Sequence, residues 1–240
     1  AASVTGTATG NKHTVSASGT ITAALNGLSP SSSTVYANGQ TGVVLAKYDL
    51  TAASGEDILV SSLQFDFYEA TGQGDATDSG DIANAKLMNG TTQVGSTVAS
   101  PTGTATFSPN LTVQAGKSVT LSLVVDIPSG AVFTTATQVH ADFDSSEQSV
   151  TGQASGATAS VLTNGSTDVV GNNLTVTTGT LTTSLVQPPV TGNVIKAGTG
   201  VDLLKILFTA GVAETVRVTS VKFTVAGDVS ASDATNLTAT

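Results

Sequence analysis

The sequence contains no cysteine and no tryptophan, and only 4% of its 240 residues are aromatic. Without cysteine the fold cannot rely on disulfide bonds, so its stability must come from sheet packing. Without tryptophan it lacks a side chain that commonly stacks on sugars. These absences exclude a disulfide-stapled scaffold and disfavour a carbohydrate-binding platform.

Charged residues are also scarce, at 10% of the chain against about 25% in typical globular domains. A disordered chain would carry more charge and fewer β-branched residues, so we expect a folded protein. Eight Lys and Arg against 17 Asp and Glu leave a net charge of −9. Nucleic acids and anionic lipids require clustered positive charge, so we expect neither as a partner.

Long hydrophobic runs are missing as well. No stretch of about 18 apolar residues occurs, so the sequence predicts no membrane span. The start at Ala1-Ala2-Ser3 is compatible with cleavage of a leader and equally with an internal fragment. Ser and Thr exceed a quarter of the chain, and this composition, with low charge, leads us to expect an extracellular protein at the cell surface.

Catalytic histidine is limited to two candidates, His13 and His140. Nucleophilic catalysis needs a base beside the nucleophile, and neither histidine lies in a recognisable signature. We predict that both are surface or rim residues and that the protein is not an enzyme.

What the sequence does contain is alternation of apolar and polar residues with a period of two, which predicts strands covered on one face. The clearest segments are residues 43–50, 58–68, 119–127 and 216–225. Asn-Gly pairs at 38–39, 89–90 and 164–165 predict turns. Only residues 82–88 suggest a helix, of barely two turns. The fold class predicted is all-β, an antiparallel β-sandwich.

The alternation also predicts which side chains face the core. In the segment 58–68 it places Leu63, Phe65 and Phe67 on one face. In the segment 43–50 it places Val44 on the apolar face and Leu45 on the mixed face.

Parts of the sequence repeat in order at a nearly constant offset. Residues 19–25 match residues 179–185 at an offset of 160. Two later segments keep an offset of 158, and a fourth match lies near the start of the chain. These segments are residues 45–52 with 203–210, residues 60–65 with 218–223, and residues 10–15 with 171–176. Four matches in order predict a tandem-repeat protein.

The offsets predict how the chain is divided. Residues 1–17 resemble the terminal strands of a preceding repeat and could act as a donor strand. Residues 18–177 make one complete β-sandwich repeat, and residues 178–240 make the first part of a second. Covering strands are missing from this second copy, so we expect either a longer parent chain or strands supplied by another molecule.

The same segments resemble the immunoglobulin-like repeats of large prokaryotic cell-surface proteins of the surface-layer, sheath, filament and adhesin type. The resemblance is carried by residues 47–52, 60–67, 83–87, 93–97 and 111–126. It implies immunoglobulin-like sandwich repeats outside the cell and transfers no catalytic residues.

One acidic, glycine-rich loop has the chemistry of a calcium site. Its candidate ligands are Glu69, Asp75, Asp78 and Asp81. Calcium takes six to eight oxygen ligands, which flexible Asp-rich loops supply, although the spacing is not that of an EF-hand. The alternative is a solvated loop whose Asp residues cap turns. A weaker second candidate group comprises Asp142, Asp144 and Glu147.

Two functions are compatible with these features. The first is a structural subunit of a surface layer, sheath or filament that assembles with copies of itself through sheet and strand contacts. The second is an adhesin stalk or a glycan-binding module of a larger secreted protein. Calcium is the only cofactor suggested, and glycan is a possible ligand only for the second function.

Overall fold

The computed structural model describes residues 9–11, 18–69, 73, 76–78, 80–133, 137–164, 167–186, 199 and 204–224. All the regular secondary structure in these residues is β-strand, which confirms the predicted all-β class. The chain divides into two compact units, residues 1–179 with 212–214 and residues 180–211 with 215–240. The predicted donor segment 1–17 lies outside the described residues except for residues 9–11.

The first unit carries the described strands β1 to β14. In chain order they are β1 (Thr20–Leu25), β2 (Val35–Ala37), β3 (Val43–Ala52), β4 (Ile58–Tyr68), β5 (Ala83–Asn89), β6 (Thr92–Val98), β7 (Thr104–Phe107), β8 (Leu111–Val113), β9 (Ser118–Asp126), β10 (Gln138–Asp144), β11 (Ser149–Gly152), β12 (Ser160–Leu162), β13 (Asp168–Val169) and β14 (Leu174–Thr177). The second unit carries β15 (Leu181–Leu185) and β16 (Ile206–Ala210).

The strands of the first unit form two sheets. One runs in the order β12-β1-β3-β9-β5-β6. The other runs β11-β4-β10-β14-β2, with β13 beside β10 and with β7 and β8 beside β4. Neighbours are antiparallel except for β1 with β12 and β14 with β2, which pair in parallel at two sheet edges. Alternation alone does not specify strand direction, so these two parallel pairs are visible only in the structure.

The inner faces of both sheets enclose one apolar core. At its centre the ring of Tyr48 lies 5.3 Å from that of Phe65 and 6.0 Å from that of Phe143. The Tyr48 hydroxyl donates a hydrogen bond to the carbonyl of Ala141 in the opposite sheet. Each fully buried side chain of this size contributes roughly 1.5–3 kcal/mol, so the core is the main source of stability.

The strands predicted for residues 43–50, 58–68 and 119–127 are confirmed, with errors of facing on β3 and at the start of β4, where Ile58 and Val60 are buried. Leu63, Phe65 and Phe67 are buried, as the alternation predicts. On β3, however, Leu45 is buried and Val44 is only partly buried. The pairing of β3 with β9 shifts by one residue between Val44 and Ala46. This β-bulge reverses the facing of the side chains before it, and a strict period of two cannot include it.

The helix suggested for residues 82–88 is wrong, because this segment forms β5. Seven residues give too little helix to offset the cost of nucleation. The strand instead pairs with β9 on one side and β6 on the other. The β5–β6 hairpin turns at Gly90, whose φ of +60° is positive as expected for an Asn-Gly turn.

The second unit contains one described hairpin, in which β15 and β16 pair antiparallel. Every residue pair of this hairpin is the counterpart of a β1–β3 pair at the offsets of 160 and 158. At the two ends of the hairpins, Leu181–Ala210 corresponds to Ile21–Ala52 and Leu185–Ile206 corresponds to Leu25–Tyr48. The second unit therefore repeats the pairing register of the first.

The backbone hydrogen bonds that flank the two hairpins correspond in the same way. At one end, Gly211 N donates to Thr180 O (2.8 Å) where Ala53 N donates to Thr20 O (2.9 Å); at the other, Val186 N donates to Lys205 O (3.0 Å) where Asn26 N donates to Lys47 O (2.9 Å). The likeness thus extends beyond the paired residues to the ends of both strands.

The strand predicted for residues 216–225 is not formed, because residues 216–224 have no strand structure and residue 225 lies outside the described part. Its counterpart in the first unit, β4, is paired along both edges by β7, β8, β10 and β11. An apolar alternating segment becomes a strand only when another strand supplies hydrogen bonds. In the described part of the second unit, residues 216–224 have no such strand.

Candidate functional site

The loop between β4 and β5 brings three of the four predicted calcium ligands together. One carboxylate oxygen from each of Glu69, Asp78 and Asp81 lies within 4.8 Å of the others. Glu69 and Asp81 are buried, at 1% and 4% exposure, whereas Asp78 is exposed. Asp75, the fourth predicted ligand, lies outside the described residues. Glu69, Asp78 and Asp81 are called the acidic loop site below.

Backbone hydrogen bonds hold the two sides of this loop against each other. Thr77 N donates to Phe67 O at 3.1 Å, which ties the returning chain to the end of β4. The carboxylate of Asp81 then accepts from Asp78 N at 2.8 Å and from Val132 N at 3.1 Å. Asp81 therefore has a fixed position, and Asp78 is held beside it.

The chemistry of the acidic loop site suits a hard divalent cation. Three carboxylates offer up to six oxygen atoms, and backbone carbonyls and water complete calcium shells of six to eight. Two of the three carboxylates are withdrawn from water, where mutual repulsion is poorly screened. A bound cation would offset that repulsion.

The second predicted group does not converge in the same way. Asp142 is fully buried, while Glu147 is exposed. Asp144 accepts hydrogen bonds from the backbone N and the hydroxyl of Ser146, at 2.8 and 2.7 Å. Within the described part of the chain, these three acidic residues do not form a common set of ligands.

Asp142 instead belongs to an acidic group that the sequence did not indicate. Gln73 donates one hydrogen bond to Asp142 at 2.9 Å and another to Asp168 at 2.8 Å. Asp66 on β4 lies directly opposite Asp142 on β10. These residues come from three strands and one loop that are distant in sequence, so no spacing rule could have joined them.

Together with burial, the carboxylates of this group raise the pKa values of two neighbouring side chains, Asp66 and Tyr68. Burial raises the pKa of Asp66, and the negative charge of Asp144 raises it further, with smaller contributions from Asp168 and Asp142. The pKa of the neighbouring Tyr68 hydroxyl is also raised, first by burial and then by the charge of Asp66. Negative charge is thus concentrated at this end of β4 and β10.

His140 is buried, so its prediction as a surface residue is wrong. Its ring stacks on Tyr68 with 5.4 Å between centroids, because β10 pairs with β4 so that the two residues lie opposite. Its Nε2 atom lies 3.6 Å from a carboxylate oxygen of Asp142. His13, the other predicted surface histidine, lies outside the described residues.

The second unit presents apolar side chains that the first unit buries. Leu181 and Phe208 are 39% and 38% exposed, whereas their counterparts Ile21 and Leu50 are each 1% exposed. Leu185, on the same face of the hairpin, is 61% exposed. We call the face that carries Leu181, Leu185, Ile206 and Phe208 the inner face, after the matching core face of β1 and β3.

None of the described residues forms a helix with the length and hydropathy needed to cross a membrane. No family model matches the chain. No curated protein matches it significantly.

Solved structures that are similar to part of the chain include a cohesin and a glycoside hydrolase. One is the seventh ScaB type I cohesin from Pseudobacteroides cellulosolvens, with a TM-score of 0.32, 8% identity, and coverage of 73% of this chain and 99% of that one. The other is a family 123 glycoside hydrolase from Clostridium perfringens, with a TM-score of 0.31, 13% identity, and coverage of 66% of this chain and 27% of that one. At these TM-scores, neither match adds to the functional argument.

Proposed function

We propose that the chain is a structural segment of an extracellular cell-surface protein built from tandem β-sandwich repeats, which assembles with copies of itself through sheet and strand contacts. The observation that carries the proposal is the register of β15 with β16, which repeats that of β1 with β3 residue for residue. A module copied along one chain is typical of proteins that span distance or tile a surface.

The surface chemistry of the chain supports this function. A chain with 10% charged residues and abundant Ser and Thr depends on backbone pairing and apolar contact, not on charge, to meet its neighbours. The exposed inner face of the second unit supplies such a contact. An all-β module without cysteine also needs no oxidation step to fold outside the cell.

Location and assembly can be tested on cells that produce the protein. Protease treatment of intact cells should remove the chain, and electron microscopy of the released material should show filaments or sheets. Recovery of the intact chain only after cell lysis would contradict the surface location, and discrete single particles in native material would contradict the assembly.

The alternative, a glycan-binding module, is less well supported. Sugar sites present exposed aromatic rings. In the described part of the first unit no aromatic residue is fully exposed: five are buried (Tyr48, Phe65, Phe67, Phe107 and Phe143) and three are partly buried (Tyr36, Tyr68 and Phe133). A glycan array in which the chain binds specific sugars, with no assembly of native material, would favour this alternative.

We further propose that the acidic loop site binds calcium and stabilises the first unit. Its support is the convergence of Glu69, Asp78 and Asp81. Calorimetric titration should show heat on addition of Ca²⁺, and the melting temperature should rise with Ca²⁺ concentration as expected for binding to the folded state. Asp78→Asn should weaken this response at least tenfold, whereas Asp57→Asn on the exposed loop before β4 should leave it unchanged. Absence of both heat and a melting shift would overturn the proposal.

A further inference from the structure

In the first unit, the edge of β3 that faces away from β1 shows what the corresponding edge of β16 can bind. β3 lies between β1 and β9, and β9 pairs with it antiparallel. β16 is the counterpart of β3, and β15 is the counterpart of β1. Among the described residues, β16 pairs with β15 alone, and we call its other edge, which none of those residues pairs, the open edge.

The hydrogen bonds between β16 and β15 identify which backbone groups of β16 point to the open edge. In the first unit, Ala52 N donates to Lys117 O on the β9 side at 3.0 Å. In the second unit, Lys205 and Gly211 bond towards β15. Because successive residues of a strand point to alternate sides, the amides of Ile206, Phe208 and Ala210 point to the open edge.

The side chains beside this edge are apolar where a β9-like strand would cover them. In the first unit, Leu121 of β9 lies opposite Tyr48, and Val119 lies opposite Leu50. The counterparts of Tyr48 and Leu50 are Ile206 and Phe208, on the inner face. The open edge therefore offers both the hydrogen-bonding groups and the apolar positions that β9 uses in the first unit.

We infer that the open edge of β16 is a docking site for an unpaired strand of the β9 type, which adds to the hairpin antiparallel and covers its inner face. Such a strand alternates apolar residues, as at Val119, Leu121, Leu123 and Val125, with polar residues on its outer face. Strand addition of this kind derives affinity from main-chain hydrogen bonds and specificity from alternate side chains.

The occupant must be a strand that is not already held in a finished sandwich. β9 of a second copy is paired on both sides, with β3 and with β5, so it is not free to bind. This inference deepens the proposed function, because it names the surface through which a repeat unit recruits further strands.

A synthetic peptide with the sequence of residues 117–127 tests the site on the full chain. Amide exchange measured by NMR should show that Ile206, Phe208 and Ala210 change from unprotected to protected when the peptide is added. The amides of Leu207 and Thr209 face β15 and should be protected before the peptide is added. A control peptide of the same composition, with the leucines moved to positions 120 and 122, should bind at least tenfold more weakly, because its apolar residues face the wrong side.

Matched variants locate the contact. Phe208→Ser on the inner face should weaken peptide binding at least tenfold, whereas Leu207→Ser on the opposite face of the same strand should change it less than twofold. The exchange protection of the β16 amides that face β15 shows whether each variant still forms the hairpin.

Three results would overturn the inference: no binding of the peptide, equal binding of the two peptides, or protection of the same three amides that rises with protein concentration alone, which would show that two copies pair edge to edge. None of these results bears on cell-surface location, which the protease experiment tests separately.

Discussion

At the residue scale, the acidic group on β4 and β10 makes a prediction with a definite sign. Burial and the charges of Asp144, Asp168 and Asp142 raise the pKa of Asp66. A carboxyl whose folded pKa is raised favours the folded state below its unfolded pKa, and this contribution is lost as the pH rises through the folded pKa.

Asp66→Asn should therefore stabilise the protein at pH 7, by about 0.5 kcal/mol after allowance for solvent screening. The gain should disappear as the pH falls well below the unfolded pKa of about 3.9, where Asp66 is protonated in both states. Urea unfolding followed by circular dichroism at the two pH values measures this change.

Asp126→Asn is the matched control with the opposite sign. Hydrogen bonds from Asn84 and from the backbone of Gly42 lower the pKa of Asp126. Its charge therefore stabilises the folded state above its unfolded pKa, and this stability is lost as the pH falls through the folded pKa. The variant should be less stable at pH 7. A stabilising effect there would contradict the assignment.

A second residue-scale prediction compares two aligned phenylalanines. Phe65 lies in the core with its ring 5.9 Å from Phe107 and 5.7 Å from Phe143, whereas its counterpart Phe223 is 55% exposed. Phe65→Ala should cost about 3–5 kcal/mol of unfolding free energy in the first unit, because it leaves a cavity. Phe223→Ala should change the unfolding free energy of the second unit, which carries Phe223, by less than about 0.5 kcal/mol.

Denaturant titration that follows amide protection in β4 for Phe65→Ala, and in β16 for Phe223→Ala, measures the two changes. Equal costs for the two variants would show that the second position is also enclosed.

At the element scale, Gly171 allows the chain before β14 to pass close to β10. A Cβ atom at this position would lie 2.2 Å from the carbonyl oxygen of Ala141, which also accepts the Tyr48 hydroxyl hydrogen bond. The amide of Gly171 donates to Asp142 at 3.1 Å, so the segment cannot shift without breaking that bond.

Gly171→Ala should therefore destabilise the first unit by on the order of 2 kcal/mol, as overpacking of a closed site does. Gly10 is the aligned glycine of the sequence repeat, and no atom lies within 4 Å of its Cβ position. Gly10→Ala should therefore leave the melting temperature unchanged. A melting temperature unchanged in both variants would show that the gap between Gly171 and the carbonyl of Ala141 can accommodate a methyl group.

The strands also show how much of the fold the local sequence predicts. The alternation predicted β4 and β9, the buried face of β9, and the burial of residues 63, 65 and 67 of β4, because each strand covers a core on one side only. It failed at Leu45, where a bulge reverses the facing, and at residues 82–88, where two neighbouring strands decide the conformation. In both cases the cause is a pairing partner far away in the sequence.

At the scale of the whole molecule, the two units differ in how much of their apolar surface they bury. The first encloses its core between two sheets. The described part of the second is a two-stranded hairpin with an exposed inner face. Hairpins without further cover are marginally stable.

Amides at the centre of β3 and β9 should exchange only through global unfolding of the first unit. Those of β16 that face β15 should exchange about 100-fold faster or more, equivalent to roughly 3 kcal/mol in opening free energy. Hydrogen exchange by mass spectrometry on the full chain distinguishes the two sets. Equal exchange rates would show that the hairpin is covered as well as the core is.

The sequence by itself determined the fold class, three long strands of the first unit (β3, β4 and β9), and the offsets at which the two hairpins correspond, because these depend on local alternation and on similarity along the chain. The boundaries of the repeats stay a prediction. The sequence also grouped Glu69, Asp78 and Asp81, which lie close together in one loop.

Only the tertiary structure decided the parallel edge pairs, the burial of His140, and the joining of Asp142 with Asp66 and Asp168. The tertiary structure also showed that Leu181 and Phe208 are exposed, although their counterparts Ile21 and Leu50 are buried. The physical reason is the same in each case. Burial and strand pairing depend on which distant segment lies alongside, and a period of two specifies the face of a strand but not its neighbour.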